Sequence, residues 1–531
     1  MPASTLYRNG LVRSPDDPAA TALLVVGGAV AWVGRDPAPH VDEADEVIDL
    51  AGSLVTPAFV DSHVHATSTG LALEGLDLTG ATDLADCLRR VETAGRRARG
   101  GILLGHGWDE TRWPEHRPPT RQELDRASYG GVVYLSRIDV HSAVVSSALL
   151  AAVSEVRGEA GWSDSGHLTR DAHHVVRRVA RESITPAQRR TLQRATLRRA
   201  AALGVGCVHE LAGPDISSAD DLRALLALSA EDPGPAVVAY WGELGGAGVA
   251  RAGELGASGA AGDLFADGSI GSHTAALREP YADADHAGHA YLTAAQVRDH
   301  VLACTAAGVQ AGFHAIGDGA LDAVAAGLAE AAERVGQDRL RAARHRVEHV
   351  EMVSREAIRT MARLGVVASV QPAFDRLWGG PSGMYAERLG KERAQGLNPY
   401  AAMSAAGVIL ALGSDSPVTP IDPWGSVRAA VEHLSEGSGI GLDAAFSAHT
   451  LGGWRAAKRD GEGVLSAGAP ATFAVWAAAA SQRRGTGSGD RARSGAGAID
   501  ATHAQRLPDL AAGPPDCLRT VVRGTTVFMI D

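Results

Sequence analysis

Five residues of the chain have the types and positions of a hydrolytic metal centre. His63 and His65 stand two apart at the end of an apolar run, SLVTPAFVDSHVH (53–65). In an extended strand that spacing puts both imidazoles on one face, roughly 7 Å apart along the chain, where they can converge on one ion. His314 ends VQAGFH (309–314), His349 lies at the end of HRVEHV (345–350), and Asp415 follows VILALG (408–413) in GSDSPV. Imidazole nitrogens joined by a carboxylate are the donors that Zn²⁺ and similar divalent ions take. One histidine at a strand end is usually hydrogen-bonded structure, and an HxH pair alone is a weak signal. The recurrence at the ends of separate strands, with an aspartate after the last, points to a metal.

The elements that must position these residues can be read from the middle of the chain. From about residue 54 to 455, short β-branched runs alternate with alanine- and arginine-rich helical stretches, the pattern of βα repeats on a parallel sheet. Counted backward, the runs are 408–413, VVASVQ (366–371), 345–350, 309–314, GDLFADG (262–268), VVAYW (237–241), VGCVHE (205–210) and 53–65, which makes eight. ILLGHGW (102–108) and VVYLSRI (132–138) fall between the first and second as part of an insertion at about 70–200. The expected fold is α/β, a (βα)8 TIM-like barrel over 56–455 with its active site at the C-terminal ends of the strands. Residues 1–55 and 456–531 read as strands around glycine turns and are expected to build one small β-sandwich from both termini. Within the second part, 481–505 is rich in Gly, Ser, Arg and Ala without hydrophobic periodicity, and reads as a flexible loop.

Composition narrows the function classes. The 531 residues are 45% hydrophobic, 21% charged and 5% aromatic with a net charge of −12, which suits a soluble globular protein and argues against a nucleic-acid partner. The four cysteines, Cys87, Cys207, Cys304 and Cys517, form no CxxC pair, so disulfides and thiolate clusters are not expected. No signal peptide or membrane-length apolar run is present, which makes the expected location cytoplasmic and the expected partner a small-molecule substrate, with a homo-oligomer compatible. Motifs for nucleotide binding and the GxSxG nucleophile elbow are missing. Of the fifty basic residues only Lys391 and Lys458 are lysines.

With these residues in view, the chain resembles the metal-dependent amidohydrolase superfamily, within it the amidohydrolase-3 branch that includes N-substituted formamide deformylases. The resemblance is carried by TPAFVDSHVHA (56–66), GHGWDETRWPE (105–115), LFADGSIGSHTAAL (264–277), FHAIGDGAL (313–321), HRVEHVEM (345–352), SVQPAF (369–374) and LGSDSPV (412–418). It implies a barrel with a terminal β-sandwich, a metal at His63, His65, His314 and His349, and Asp415 as the catalytic acid/base. Many members hold two ions bridged by a carboxylated lysine on the fourth strand, four residues before the aspartate of the DG pair. That aspartate is Asp267 here, and the position holds Asp263. Both lysines lie in helical-looking stretches away from strand ends, so no carboxylated lysine is expected. Glu210, ending the second strand, is the favoured replacement, since related D-aminoacylases draw a bridging side chain from that strand. The alternatives are Asp263 itself, with a side chain several ångströms shorter, and a single-metal site in which His349 or Glu210 handles protons. Against these stands an ordinary buried Glu210 paired with an arginine.

The expected cofactor is therefore a divalent metal, Zn²⁺ by ligand type, as one or two ions held by His63, His65, Glu210, His314, His349 and Asp415. A bound ion lowers the pKa of water toward about 7 and polarises a carbonyl, and Asp415 would take and return the proton. That predicts hydrolysis of a carbon–nitrogen bond, an amide or N-acyl group of a small molecule. The alternatives are a mononuclear deaminase acting on a ring amidine and, from another class, a barrel without catalysis serving as a binding module. Trp108, Asp267, His273 and Gln371 are the candidate substrate-binding residues, and His141 is a further residue within reach of the pocket. In the family the segment around His273 usually carries Arg at that position.

Overall fold

The structure, a computed structural model, describes residues 3–98, 102–478 and 507–530, so the 481–505 segment lies outside the described residues. The central strands are β1 (Phe59–Val64), β2 (Val205–Ala212), β3 (Ala236–Trp241), β4 (Gly259–Ala260), β5 (Gln310–Ala315), β6 (Arg346–His349), β7 (Val367–Val370) and β8 (Ile409–Leu412). They form two parallel sheets, ordered β1-β2-β3 and β4-β5-β6-β7-β8. Hydrogen bonds join the sheets at both edges. The Ser258 N–H donates to the Ala239 carbonyl at 2.7 Å beside β3. At the other edge the Asp415 N–H donates to the His63 carbonyl at 2.8 Å and the His65 N–H to the Ser416 carbonyl at 2.9 Å. Helices follow most strands, and their apolar faces pack onto the sheets. A threonine and a glutamine three residues apart start two of them: Thr185 and Gln188 cap Pro186–Ala202, and Thr293 and Gln296 cap Ala294–Ala307.

Two strand boundaries differ from the sequence reading, each for a physical reason. The run 53–65 is two strands, broken at Ala58. Leu54–Pro57 pairs antiparallel with Phe473–Trp476 in a terminal sheet, and only Phe59–Val64 joins the parallel sheet. The fourth strand is Gly259–Ala260, not 262–268. The chain leaves the sheet at Gly262, whose φ of 98° is a glycine conformation, and its backbone pairs with β5 again at the Phe265–His314 bridge.

The terminal segments build two sheets. One has the order Ala29–Gly34, Ala22–Val26, Ser4–Arg8, Glu46–Asp49, and the other runs from Leu11–Val12 through Leu54–Pro57, Phe473–Trp476 and Cys517–Val522 to Thr525–Met529. Gly27 and Gly28, both with positive φ, form the tight turn between Ala22–Val26 and Ala29–Gly34. Tyr7, Leu23, Val55, Phe473 and Val521 share the core between the two sheets. The insertion has its own five-stranded sheet, Leu76–Asp77 beside Leu103–Trp108, Val133–Arg137, Ser142–Val145 and His167–Thr169. Among the described residues no helix is long and apolar enough to cross a membrane.

Candidate metal centre

The residues that converge at one end of the parallel strands do so because the strands end in register. β1 delivers His63 and His65, and the Asp415 N–H bonded to the His63 carbonyl draws the segment after β8 against them. Asp415 Oδ1 then lies 3.3 Å from His63 Nε2 and 3.2 Å from His65 Nε2. His314 is the penultimate residue of β5, and His349 ends β6. The backbone is strained there: Asp415, His349 and Val350 have φ of 54°, 71° and 55°. For a β-branched residue such as Val350 that is a true outlier, and such strain concentrates at functional sites.

Asp263 lies at the middle of the group. Its Oδ2 is 3.1 Å from His65 Nε2, and its Oδ1 is 3.5 Å from His63 Nε2, 3.6 Å from His314 Nδ1 and 3.9 Å from His349 Nε2. Two sets of three donors are close enough to share an ion: His63, His65 and Asp415, and His63, Asp263 and His349. His63 Nε2 and Asp263 Oδ1 are buried without a hydrogen-bond partner. Buried polar atoms left in that state are costly unless a proton or a cation completes them. The donor set fits a divalent transition ion.

The other ring nitrogens are mostly pinned by partners that leave a donor free for a metal. His63 Nδ1 meets Glu348 Oε2 at 3.1 Å, and Glu348 is gripped by the Arg346 guanidinium at 2.5 and 2.9 Å. His349 Nδ1 meets Gln371 Oε1 at 2.8 Å, and His314 Nε2 meets the Gly268 carbonyl at 3.1 Å. Such outer partners fix the tautomer and the ring plane of metal-binding histidines.

Charge in the centre favours a cation. Burial opposes protonation of His65, but hydrogen bonds and charge from Asp263 and Asp415 raise it to about 9, and His63 is raised well above its ordinary value against the same burial penalty. Asp263 is held well below the usual carboxylate range by the surrounding histidines, despite its burial. An imidazole must be neutral to ligate, so an ion competes with these protons. Metal affinity is therefore expected to rise between about pH 6 and pH 9, with protons released on binding. Calorimetry in buffers of different ionisation enthalpy checks this, and affinity independent of pH would contradict it.

The remaining sequence candidates go elsewhere. Glu210, favoured on sequence as the bridging ligand, belongs to neither donor set; its Oε2 accepts the Ala66 N–H at 2.8 Å. The β1–β2 register sets Glu210 opposite Val64, which brings its carboxylate to the first turn of helix Ala66–Glu74, where an unpaired backbone N–H favours an anion. Glu210→Gln is expected to keep full metal content and near-normal turnover while losing under about 1 kcal/mol of stability. Metal analysis beside a denaturant melt checks it.

Asp267 is fully buried and accepts the N–H groups of Ala276, Ile316 and Gly317 at 2.8–3.0 Å, so it shapes the loops rather than meeting a substrate. Gln371 meets His349 through its Oε1, while its Nε2 is buried without a hydrogen-bond partner. His273 meets Asp283 Oδ1 at 2.9 Å. Trp108 is fully buried against the insertion's own core, with its Nε1 donating to the Leu135 carbonyl. None of the four lines the small cavity, of about 30 Å³, that opens onto His314, His349 and Asp415. Its walls include Ile270, Phe374, Trp378 and Tyr385, none singled out by the sequence. A second cavity of about 590 Å³ reaches His65 and Glu210 from the side of β2 and β3.

This is the kind of centre that metal-dependent hydrolases use: histidines and carboxylates at the C-terminal ends of parallel strands, each ring oriented from behind. The sequence pattern of the Amidohydrolase family matches residues 46–528, and the chain belongs to that family. The putative amidohydrolase YtcJ of Bacillus subtilis is 26% identical over 73% of this chain and 74% of its own length. N-substituted formamide deformylase of Arthrobacter pascens is 31% identical over a shorter stretch, 27% of this chain and 28% of its own. Among solved structures, an uncharacterized metal-dependent hydrolase from Pyrococcus horikoshii OT3 superposes with a TM-score of 0.71 at 25% identity, covering 89% of this chain and 97% of that one.

Proposed function

We propose that the protein is a hydrolase of the C–N bond of a small-molecule amide or N-acyl compound, working with one or two divalent ions, Zn²⁺ by ligand type. The observation that carries this reading is the convergence of Asp263 and Asp415 on four histidines, with buried donor atoms left unpaired. The names borne by YtcJ and the formamide deformylase point the same way. In this reading the eight parallel strands form a (βα)8 barrel and the two terminal sheets a β-sandwich beside it, and the protein works in the cytoplasm on a small molecule.

His63, His65, Asp263, His314, His349 and Asp415 would hold the metal, which supplies a water of lowered pKa and a Lewis acid for the substrate carbonyl. The rest falls to the chain's own groups. Asp415, which lines the small cavity, would accept a proton from the attacking water and deliver it to the leaving nitrogen. Glu348 and Gln371 keep the His63 and His349 rings from turning. The apolar walls exclude bulk water, which strengthens each polar interaction inside. Chelated and Zn²⁺-reloaded protein assayed for amine release on a panel of amides, carbamates and amidines tests this. Metal-dependent release from amides is expected; a loaded protein inert toward every amide would overturn the reading.

A further inference from the structure

Two cavities reach the metal centre, and they differ in size and charge. The one beside His314, His349 and Asp415, at about 30 Å³, has room for little more than the reacting group. The one that reaches His65 is about 590 Å³, within the roughly 300–1,000 Å³ typical of small-molecule sites. Ile184, Ile216 and Trp241, all buried, give it apolar walls. Most of its inner charged groups are already partnered. Asp221 accepts from Arg189 Nε at 2.8 Å, and Arg251 pairs with Glu254 at 2.9 Å. Glu243 accepts from Trp241 Nε1 at 2.6 Å, and Glu210 holds the Ala66 N–H. Glu182, Asp215 and Arg178 are exposed.

Arg177 is the exception. It comes from the insertion's helix Arg170–Glu182, lines the larger cavity and is 3% exposed. Its Nη1 donates to the Val140 carbonyl at 3.4 Å, and its Nη2 meets the Asp215 carbonyl and His174 Nδ1. Its Nε is buried without a hydrogen-bond partner, and among the described residues no carboxylate pairs with the guanidinium. A guanidinium keeps its proton at any ordinary pH, so this buried charge is costly until an anion meets it. Ser217 Oγ, on the same cavity, is also buried without a partner. Arg177 stands outside the metal centre. The carbonyl it holds belongs to the residue before His141, whose ring lies 5.1 Å from that of His314.

We infer that the larger cavity holds the non-reacting end of the substrate and that Arg177 takes a carboxylate there. The preferred substrate is an amide or N-acyl compound whose carboxylate is separated from the scissile bond by an aliphatic spacer, which lies against Ile184, Ile216 and Trp241. Hydrogen bonds between guanidinium and carboxylate are about twice as strong as neutral ones, and an enclosed site strengthens them further. A neutral tail leaves the arginine uncompensated, and an ammonium tail adds a second cation beside it. A carboxylate on the carbon next to the nitrogen stays near the metal centre and falls short of Arg177. The inference rests on the amide-hydrolase reading for the scissile group, while the anion site stands on Arg177 and its cavity.

The test uses four probes with the Zn²⁺-loaded full chain: ε-acetamidocaproate, the alcohol and the primary amine of the same length, and racemic N-acetylnorleucine, an isomer with its carboxylate beside the nitrogen. Binding by calorimetry and kcat/KM are both read. ε-Acetamidocaproate is expected to lead each of the others by tenfold or more in both. Arg177→Met is expected to erase its lead over the alcohol, and Arg177→Lys, which keeps the charge, to retain part of it. Ala247→Phe, at an exposed position of helix Gly245–Leu255 on the same cavity, is expected to weaken ε-acetamidocaproate tenfold at unchanged metal content. That variant tests the cavity even where an Arg177 variant fails to fold. Equal binding of the four probes, no binding of ε-acetamidocaproate, a lead by any other probe, Arg177→Met with unaltered ratios, or unchanged binding to Ala247→Phe would overturn the inference. If the ranking appears in binding while no probe is cleaved, the hydrolase reading falls and the anion site stands. If all four are bound and cleaved alike, the reverse holds.

Discussion

Asp263→Ala is expected to empty the centre: metal affinity falls by more than roughly 100-fold, beyond what removal of an outer partner costs, and turnover at ordinary metal concentrations disappears. The effect is large because Asp263 touches every histidine of the group, with oxygen-to-nitrogen distances of 3.1 to 3.9 Å. Without it the four rings keep only Asp415 as an anionic neighbour in the donor sets. Two positive charges of a divalent ion would then be buried against one negative charge. Leaving buried charge uncompensated is among the most destabilising changes available to a protein. Asp263→Glu separates charge from geometry, since the longer side chain keeps the anion but moves its oxygens; partial metal content with poor turnover is the expected outcome. Elemental analysis after dialysis, with kcat/KM on the same samples, checks both variants. An alanine variant that keeps full metal content would remove Asp263 from the centre.

Asp415→Asn has the second-largest expected effect and a different signature. Asparagine keeps an oxygen where Asp415 Oδ1 stands between His63 and His65, so ions at saturating concentration should still bind. It cannot accept a proton and pass it to the leaving nitrogen. A loss of about 10²–10⁴ in kcat, the usual worth of a placed acid–base group, is expected with KM little altered. Activity within threefold of the wild type at saturating metal would show that another group moves the proton.

The comparison between these two residues shows how much of the centre was legible in the sequence. His63 and His65 could be placed from the period of two, and His314, His349 and Asp415 from their positions at or just after the ends of apolar runs. The identity of the central carboxylate could not be decided that way. It depends on β4 being only Gly259–Ala260 and on the turn at Gly262, where a Cβ would come within 2.8 Å of Leu211. That detour, like a bulge, re-aims the side chain that follows, and it brings a short aspartate to where a longer ligand seemed necessary. Glu210 lies near the end of β2 as its run implies, but the Ala66 N–H that its Oε2 accepts is visible only in three dimensions. Trp108 shows the limit for apolar residues. A tryptophan in a glycine-flanked segment reads as a pocket wall, and the packing of Trp113 and Leu135 in the insertion's core decides otherwise. Arg346 and Glu348, two charges inside a buried strand, were the unread signal that β6 supports a neighbour, His63.

The most direct measurement is a crystal structure of the metal-loaded protein with anomalous scattering at the metal edge. Each ion should lie within about 2.0–2.2 Å of the histidine nitrogens and of an Asp263 oxygen, with Glu210 still on the Ala66 N–H. An ion coordinated by Glu210, or ions bound with Asp263 turned away, would contradict the account.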